Sequence, residues 1–279
     1  MIWLNGQVLP AEQARVSVLD AGFLFGASVF TTLRAHNGRA FRLDRHLRRL
    51  MGHAARISLM HRSSAEQLRS AVEQVLPANA LSEARVRITL SPGAAAESPQ
   101  PTAAVSASPV EPAPAVERGL GVIVSGVRQY EGDVLAGVKT GCCLPRLLAR
   151  QAAAAVGADE AIWFTHAGFL AGACFANLFI VRKGMLFTPP LSTPAVDGVA
   201  RSAVLELCGP LGLAASEEPL TYDDVLGAQE IFLTSSVGGI RAVVRVMRQA
   251  IGDDRPGPVT RRIAEAYAEL MEKECPANQ

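Results

Sequence analysis

Net charge and long apolar runs are both scarce in this chain, and each scarcity closes off a class of function. Its 27 Lys and Arg residues face 26 Asp and Glu, a formal net charge of +1. That balance argues against nucleic acid or an anionic membrane as the main partner. No apolar run reaches the length of a membrane span, and the start MIWLNG lacks the basic-then-apolar pattern of an export signal, so the expected compartment is the cytoplasm. The five cysteines, Cys142, Cys143, Cys174, Cys208 and Cys275, have no paired metal-ligand spacing and mostly apolar neighbours. They read as small core thiols rather than a disulfide framework or a metal site. A dinucleotide fingerprint, a phosphate-loop lysine motif and an internal repeat are also missing.

What is present is apolar bulk: 49% of the 279 residues are hydrophobic, enough for a large core and two lobes. Lysine occurs three times. Lys183 lies in a tight turn and Lys273 in a charged tail, so both read as solvated. Lys139 differs, because VLAGVKTGCCLP sets it in a glycine-punctuated, uncharged stretch. Partial burial lowers the pKa of such an amine and makes it a nucleophile able to form a Schiff base. A structural ion pair is the plainer alternative.

Along the chain, Asn5-Gly6 between Ile2–Leu4 and Gln7–Leu9 predicts a two-residue hairpin, and Asn37-Gly38 predicts a second one, completed by Phe41–Leu43. From Asp44 the spacing turns helical, with Leu43, Leu47, Leu50, Met51 and Ala54 on one face and the arginines mostly solvated. Ser63 and Glu66 read as a capping box for a helix with Leu68, Val72, Val75 and Leu76 buried. Strands follow at Arg85–Leu90 and Thr102–Ala107, and Pro109–Gly119 reads as a stiff linker. The resulting domains are 1–118, smaller and including the linker, and 119–279, carrying Lys139. The second begins with Gly121–Val127, and in it Ala161–Phe164, Leu178–Val181, Met185–Thr188 and Glu230–Thr234 read as strands. Helices are expected from Leu144 to about Val156 with Leu144, Leu147 and Leu148 inward, from Gly198 through Cys208, and over Val259–Leu270. Hairpins and helices mixed in two lobes make an α+β architecture.

Taken together, DAGFLFGASVFTTLR (20–34), FRLDRHLRRL (41–50), VKTGCCLPRLLARQ (138–151), GADEAIWF (157–164) and ANLFIVRKGMLFTPP (176–190) resemble the fold-type IV pyridoxal-phosphate enzymes. That family includes branched-chain and D-amino-acid aminotransferases and 4-amino-4-deoxychorismate lyases, and the likeness covers nearly the whole chain. It implies a two-lobed fold of the D-amino-acid aminotransferase type. It implies that Lys139 carries pyridoxal 5′-phosphate covalently and moves protons as general acid and base. It also implies that Arg49 pairs with the cofactor phosphate, that Val199 and Ala200 hold it through N–H groups at a helix start, and that Ser235 and Ser236 face phosphate and substrate. For each serine a turn or cap is the alternative.

Two departures stand out. Where the family usually has a glutamate for the ring nitrogen, this sequence has Gly172, and where it usually has a phosphate-site threonine, it has Ala200. Phe30-Thr31-Thr32 resembles the lyase branch, and Ser91-Pro92-Gly93-Ala94 lacks the arginine that D-amino-acid enzymes use. Loss of the ring-nitrogen acid is easier to reconcile with elimination than with transamination. The sequence reading is therefore a pyridoxal-phosphate-dependent 4-amino-4-deoxychorismate lyase releasing pyruvate and 4-aminobenzoate, a folate precursor. Phe30, Thr31 and Arg241 are its substrate contacts, with Thr31 also assisting the leaving group. Thr31 as a buried core residue and Arg241 as a surface residue are the alternatives. An amino-acid aminotransferase and a cofactor-free binding protein are the competing functions. A small-molecule substrate, no metal, and a homodimer complete the expectation.

Overall fold

The computed structural model describes residues 1–94, 100–110 and 118–277. Its elements, in chain order, are β1 (Ile2–Leu4), β2 (Gln7–Leu9), α1 (Ala21–Phe25), β3 (Val29–His36), β4 (Arg39–Ala40), α2 (Leu43–Arg56), α3 (Ala65–Ala78), β5 (Ala84–Ser91), β6 (Thr102–Pro109), β7 (Leu120–Val124), α4 (Leu144–Ala155), β8 (Glu160–Phe164), β9 (Leu170–Ala173), β10 (Asn177–Arg182), β11 (Met185–Thr188), α5 (Val199–Cys208), β12 (Ala215–Glu217), α6 (Tyr222–Leu226), β13 (Glu230–Ser235), β14 (Gly239–Val246), β15 (Gln249–Ala250) and α7 (Pro258–Glu274). The chain divides into two compact units. One comprises Met1–Glu111, Val138–Cys142 and Met271–Gln279, and the other Pro112–Gly137 and Cys143–Leu270.

The first unit is a six-stranded sheet in the order β2-β1-β6-β5-β3-β4, antiparallel throughout, with α2 and α3 packed on it. Two-residue turns with positive φ at Asn5-Gly6 and Asn37-Gly38 set its hairpins. The second hairpin is shorter than the sequence suggests: Arg42 takes a left-handed φ of 53° and α2 begins at once, so Phe41–Leu43 is not a strand. The capping box of α3 falls one residue later than expected, on Ser64 and Gln67. Leu33, Leu47, Leu50, Leu68, Val72, Val75, Val86 and Ile88 are fully or almost fully buried between sheet and helices.

The second unit is a nine-stranded mixed sheet, β12-β11-β10-β13-β14-β7-β8-β9, with β15 added to β14 and with β7 parallel to both neighbours. Its core is centred on Phe164, Leu170, Leu178, Ile180, Ile231 and Leu233. Helix α4 corrects the sequence reading, since Leu144, Leu147 and Leu148 are 64%, 47% and 54% exposed. The buried stripe is Ala149 and Ala153, whose small side chains let the helix lie close to Ala161 and Trp163. The segment holding Lys139 differs from the 119–279 domain reading as well. Phe30 N–H donates to Lys139 O at 3.1 Å and Gly141 N–H to Ser28 O at 2.8 Å, which ties Val138–Cys142 to β3 in the first unit. Most of the expected linker, residues 111–117, lies outside the described residues.

Candidate active site

In the first unit, strand β3 organises the candidate residues. Successive side chains on a strand point to opposite faces, so Val29, Thr31, Leu33 and Ala35 turn to the helices while Phe30 turns away. Thr31 has no exposed surface, and its hydroxyl lies 2.8 Å from His46 Nδ1 and 2.9 Å from an Arg49 guanidinium nitrogen. Arg49 must donate, and the same nitrogen also lies 3.4 Å from His46 Nδ1, so Nδ1 serves as the acceptor and the Thr31 O–H donates to it. The imidazole then keeps its proton on Nε2, which is buried without a hydrogen-bond partner among the described residues. Burial, then the charges of Arg49 and Lys139, hold the His46 pKa well below 6.5. A neutral ring is the form this geometry needs.

On the other face the Lys139 amine lies 4.5 Å from the centre of the Phe30 ring, and the Arg87 guanidinium lies 3.8 Å from it. Arg87 also donates to Thr89. The backbone of Lys139 is held too: its N–H donates to His53 Nδ1 at 3.1 Å. The structure therefore brings Lys139, Phe30, Thr31 and Arg49 into one unit and adds His46, His53 and Arg87, which sequence reading missed. His46, Arg49 and His53 are spaced at i, i+3 and i+7 on α2, the register of a single helix face. That register was legible in HLRRLMGH. Arg45 and Arg48 are exposed, as expected of solvated arginines.

In the second unit, α5 starts at Gly198 with no side-chain cap, and Val199 and Ala200 are buried. A Cβ at residue 198 would lie 1.9 Å from Asn177 Oδ1, so only glycine fits there. Asn177 in turn donates to Val196 O and pairs across the strands with Thr234. The Thr234 hydroxyl is buried without a hydrogen-bond partner among the described residues. A helix start without a side-chain cap from Gly198 is a kind of donor suited to an anion such as phosphate. Ser235 has a structural task, since its hydroxyl accepts from Gly238 N–H at 3.0 Å. Arg241 sits on β14, half-buried. Burial lowers its pKa, and Glu160 acts in the opposite direction.

A family model described as amino-transferase class IV matches residues 28–246. The chain belongs to the class IV aminotransferases. A Methanocaldococcus jannaschii protein, provisionally named a branched-chain-amino-acid aminotransferase, is 31% identical over 279 residues, spanning 98% of this chain and 96% of the relative. The T.th. branched-chain amino acid aminotransferase solved with pyridoxamine 5′-phosphate is 28% identical with a TM-score of 0.92, covering 99% of this chain and 95% of that one. A Legionella pneumophila protein, provisionally described as 4-amino-4-deoxychorismate lyase, has a TM-score of 0.84 at 20% identity, over 95% and 97% of the chains, a likeness of fold.

For a class IV aminotransferase, an amine and a guanidinium in the first unit and, separately, a helix start without a side-chain cap in the second are each donor types that a phosphate-bearing cofactor uses. The chain lacks an acid at Gly172. That residue adopts a φ of 130°, a conformation side chains rarely take, and an added Cβ would meet Ala176 O at 3.1 Å.

Proposed function

We propose that this class IV aminotransferase family member moves an amino group between an amino acid and a 2-oxo acid, with branched apolar amino acids as the first substrates to test. The observation that carries this reading is the near-complete span of its likeness to a relative named for that activity. The cofactor is pyridoxal 5′-phosphate, which when bound supplies the electron sink for a carbanion beside nitrogen. Lys139 holds it and moves the proton at the substrate carbon that bears the amino group. Arg49 grips the phosphate with a fixed fork of donors, and the N–H groups of Val199 and Ala200, with the hydroxyls of Thr234 and Ser236, supply further donors.

Thr31 acts through Arg49. A direct meeting with substrate would need surface that its side chain does not have. Phe30 forms an apolar wall under the Lys139 amine, and Arg87 beside the same ring is a candidate for a substrate carboxylate. Arg241 is kept as a second candidate, and Ser235 is assigned to its turn.

A homodimer belongs to this reading, supported by the exposed apolar faces of α1, where Phe23 and Phe25 are 72% and 76% exposed, and of α4. A cytoplasmic location is supported by five cysteines that are all free thiols. No helix among the described residues is long and apolar enough to cross a membrane.

A second reading, 4-amino-4-deoxychorismate lyase, is favoured by Phe30-Thr31-Thr32 and by Gly172, which asks less of the cofactor ring. One experiment separates them: purified protein with pyridoxal 5′-phosphate is offered leucine, isoleucine or valine with a 2-oxo acid, and separately 4-amino-4-deoxychorismate. Amino-group exchange supports the transferase. Release of pyruvate and 4-aminobenzoate without exchange overturns it in favour of the lyase.

A further inference from the structure

We propose that His53 is a positioning residue for Lys139, its imidazole fixing the backbone from which the amine is presented; this rests on the reading of Lys139 as the cofactor lysine. The segment around Lys139 is not part of a named strand. It borrows order from β3 through Phe30 N–H to Lys139 O, Gly141 N–H to Ser28 O and the bridge between Val29 and Thr140. That short ladder stops at Lys139. Two residues upstream, Gly137 takes a left-handed φ of 72°. The next donor, Lys139 N–H, is taken by His53 Nδ1 at 3.1 Å, from a residue 86 positions away.

Holding both the N–H and the C=O of one residue leaves its Cα–Cβ bond little freedom to swing. Only the side-chain torsions then remain between the backbone and an amine already resting 4.5 Å from the Phe30 ring centre. Nδ1 accepts only while it carries no proton, so the ring hydrogen of His53 sits on Nε2. A doubly protonated ring would set N–H against N–H. His53 follows Arg49 by four residues and His46 by seven on α2, so one helix face positions both the guanidinium and the lysine backbone.

The test uses the full chain and three variants. His53→Asn offers Oδ1 in place of Nδ1, while His53→Phe and His53→Ala remove the acceptor. Amide hydrogen exchange of the peptide containing Lys139 is measured without cofactor, and uptake of pyridoxal 5′-phosphate is followed by visible absorbance. Loss of one backbone hydrogen bond is expected to speed exchange at Lys139 about tenfold in His53→Phe and His53→Ala, with slower cofactor uptake. His53→Asn is expected to restore both. An acceptor-free variant that keeps wild-type stability, exchange protection and uptake rate overturns the proposal. A wild-type protein that takes up no cofactor overturns the reading of Lys139 instead, and the exchange rates still decide whether His53 holds the segment.

Discussion

The Thr31 hydroxyl bridges Arg49 and His46, accepting from the guanidinium at 2.9 Å and donating to Nδ1 at 2.8 Å, with no surface of its own. Replacing it with valine keeps the shape and strips both bonds. Thr31→Val is expected to lower stability by about 1–3 kcal/mol, because it leaves buried partners unsatisfied. It should also weaken pyridoxal phosphate affinity by about tenfold through a loosened Arg49. Thr31→Ser should stay near wild type. Denaturant unfolding and a cofactor titration check both values.

His46 gives stability an acid limb. Its pKa is well below 6.5 in the folded protein, chiefly from burial, whereas in the unfolded chain it takes a proton near 6.5. Its neutral form is therefore fully compatible with folding above about pH 6.5. Below that, the unfolded state binds the extra proton, and stability falls by up to about 1.4 kcal/mol per pH unit. Stability curves between about pH 7 and 5 should be flatter in His46→Gln, even if that variant is less stable at neutral pH.

Lys139→Ala should remove turnover and any visible cofactor band that borohydride abolishes. Lys139→Arg should not restore them, since a guanidinium neither bonds to the cofactor nor releases a proton near neutrality. The expected loss from missing proton transfer alone is roughly 10²–10⁴-fold.

Glu230 caps α7 from the end of another element: its carboxylate accepts from Val259 N–H, Thr260 N–H and the Thr260 hydroxyl at 3.1, 2.7 and 2.7 Å. Glu230→Ala leaves buried donors unmet and removes a negative charge from a helix start. A loss of about 2–3 kcal/mol in urea unfolding is expected.

Gly172→Glu should not rebuild the missing acid. At a φ of 130° both Gly172→Ala and Gly172→Glu are expected to cost about 1–3 kcal/mol. Similar losses in thermal unfolding for the two variants would identify the backbone as the cause, and a neutral Gly172→Ala would refute it.

The features legible in the sequence are those fixed locally. Asn5-Gly6, Asn37-Gly38 and Lys183-Gly184 mark turns because each demands positive φ, and each is found with it. The 3.6-residue spacing placed the starts of α2 and α3 within a residue or two. What needed the fold were choices between equivalent local readings. Helix α4 carries a leucine stripe and an alanine stripe, and periodicity cannot say which packs within its own chain. Strand β14 was read only at Arg241, and its extent from Gly239 to Val246 is set by pairing with β13. At the site, Lys139 stood out by chemistry and Arg49 only through the family resemblance, while His46 and His53 matter through partners 15 and 86 residues away. No local pattern encodes those distances.

The three-segment composition of the first unit also sets an order of events during synthesis. Residues 1–111 leave the ribosome before residues 271–277, yet His36 and Arg42 find Glu272 and Glu274, and Asn37 finds Cys275 O, only when the last turn of α7 has been made. The β3 edge likewise waits for Lys139. The stretch made earlier is thus completed only once the much later segment has been synthesised.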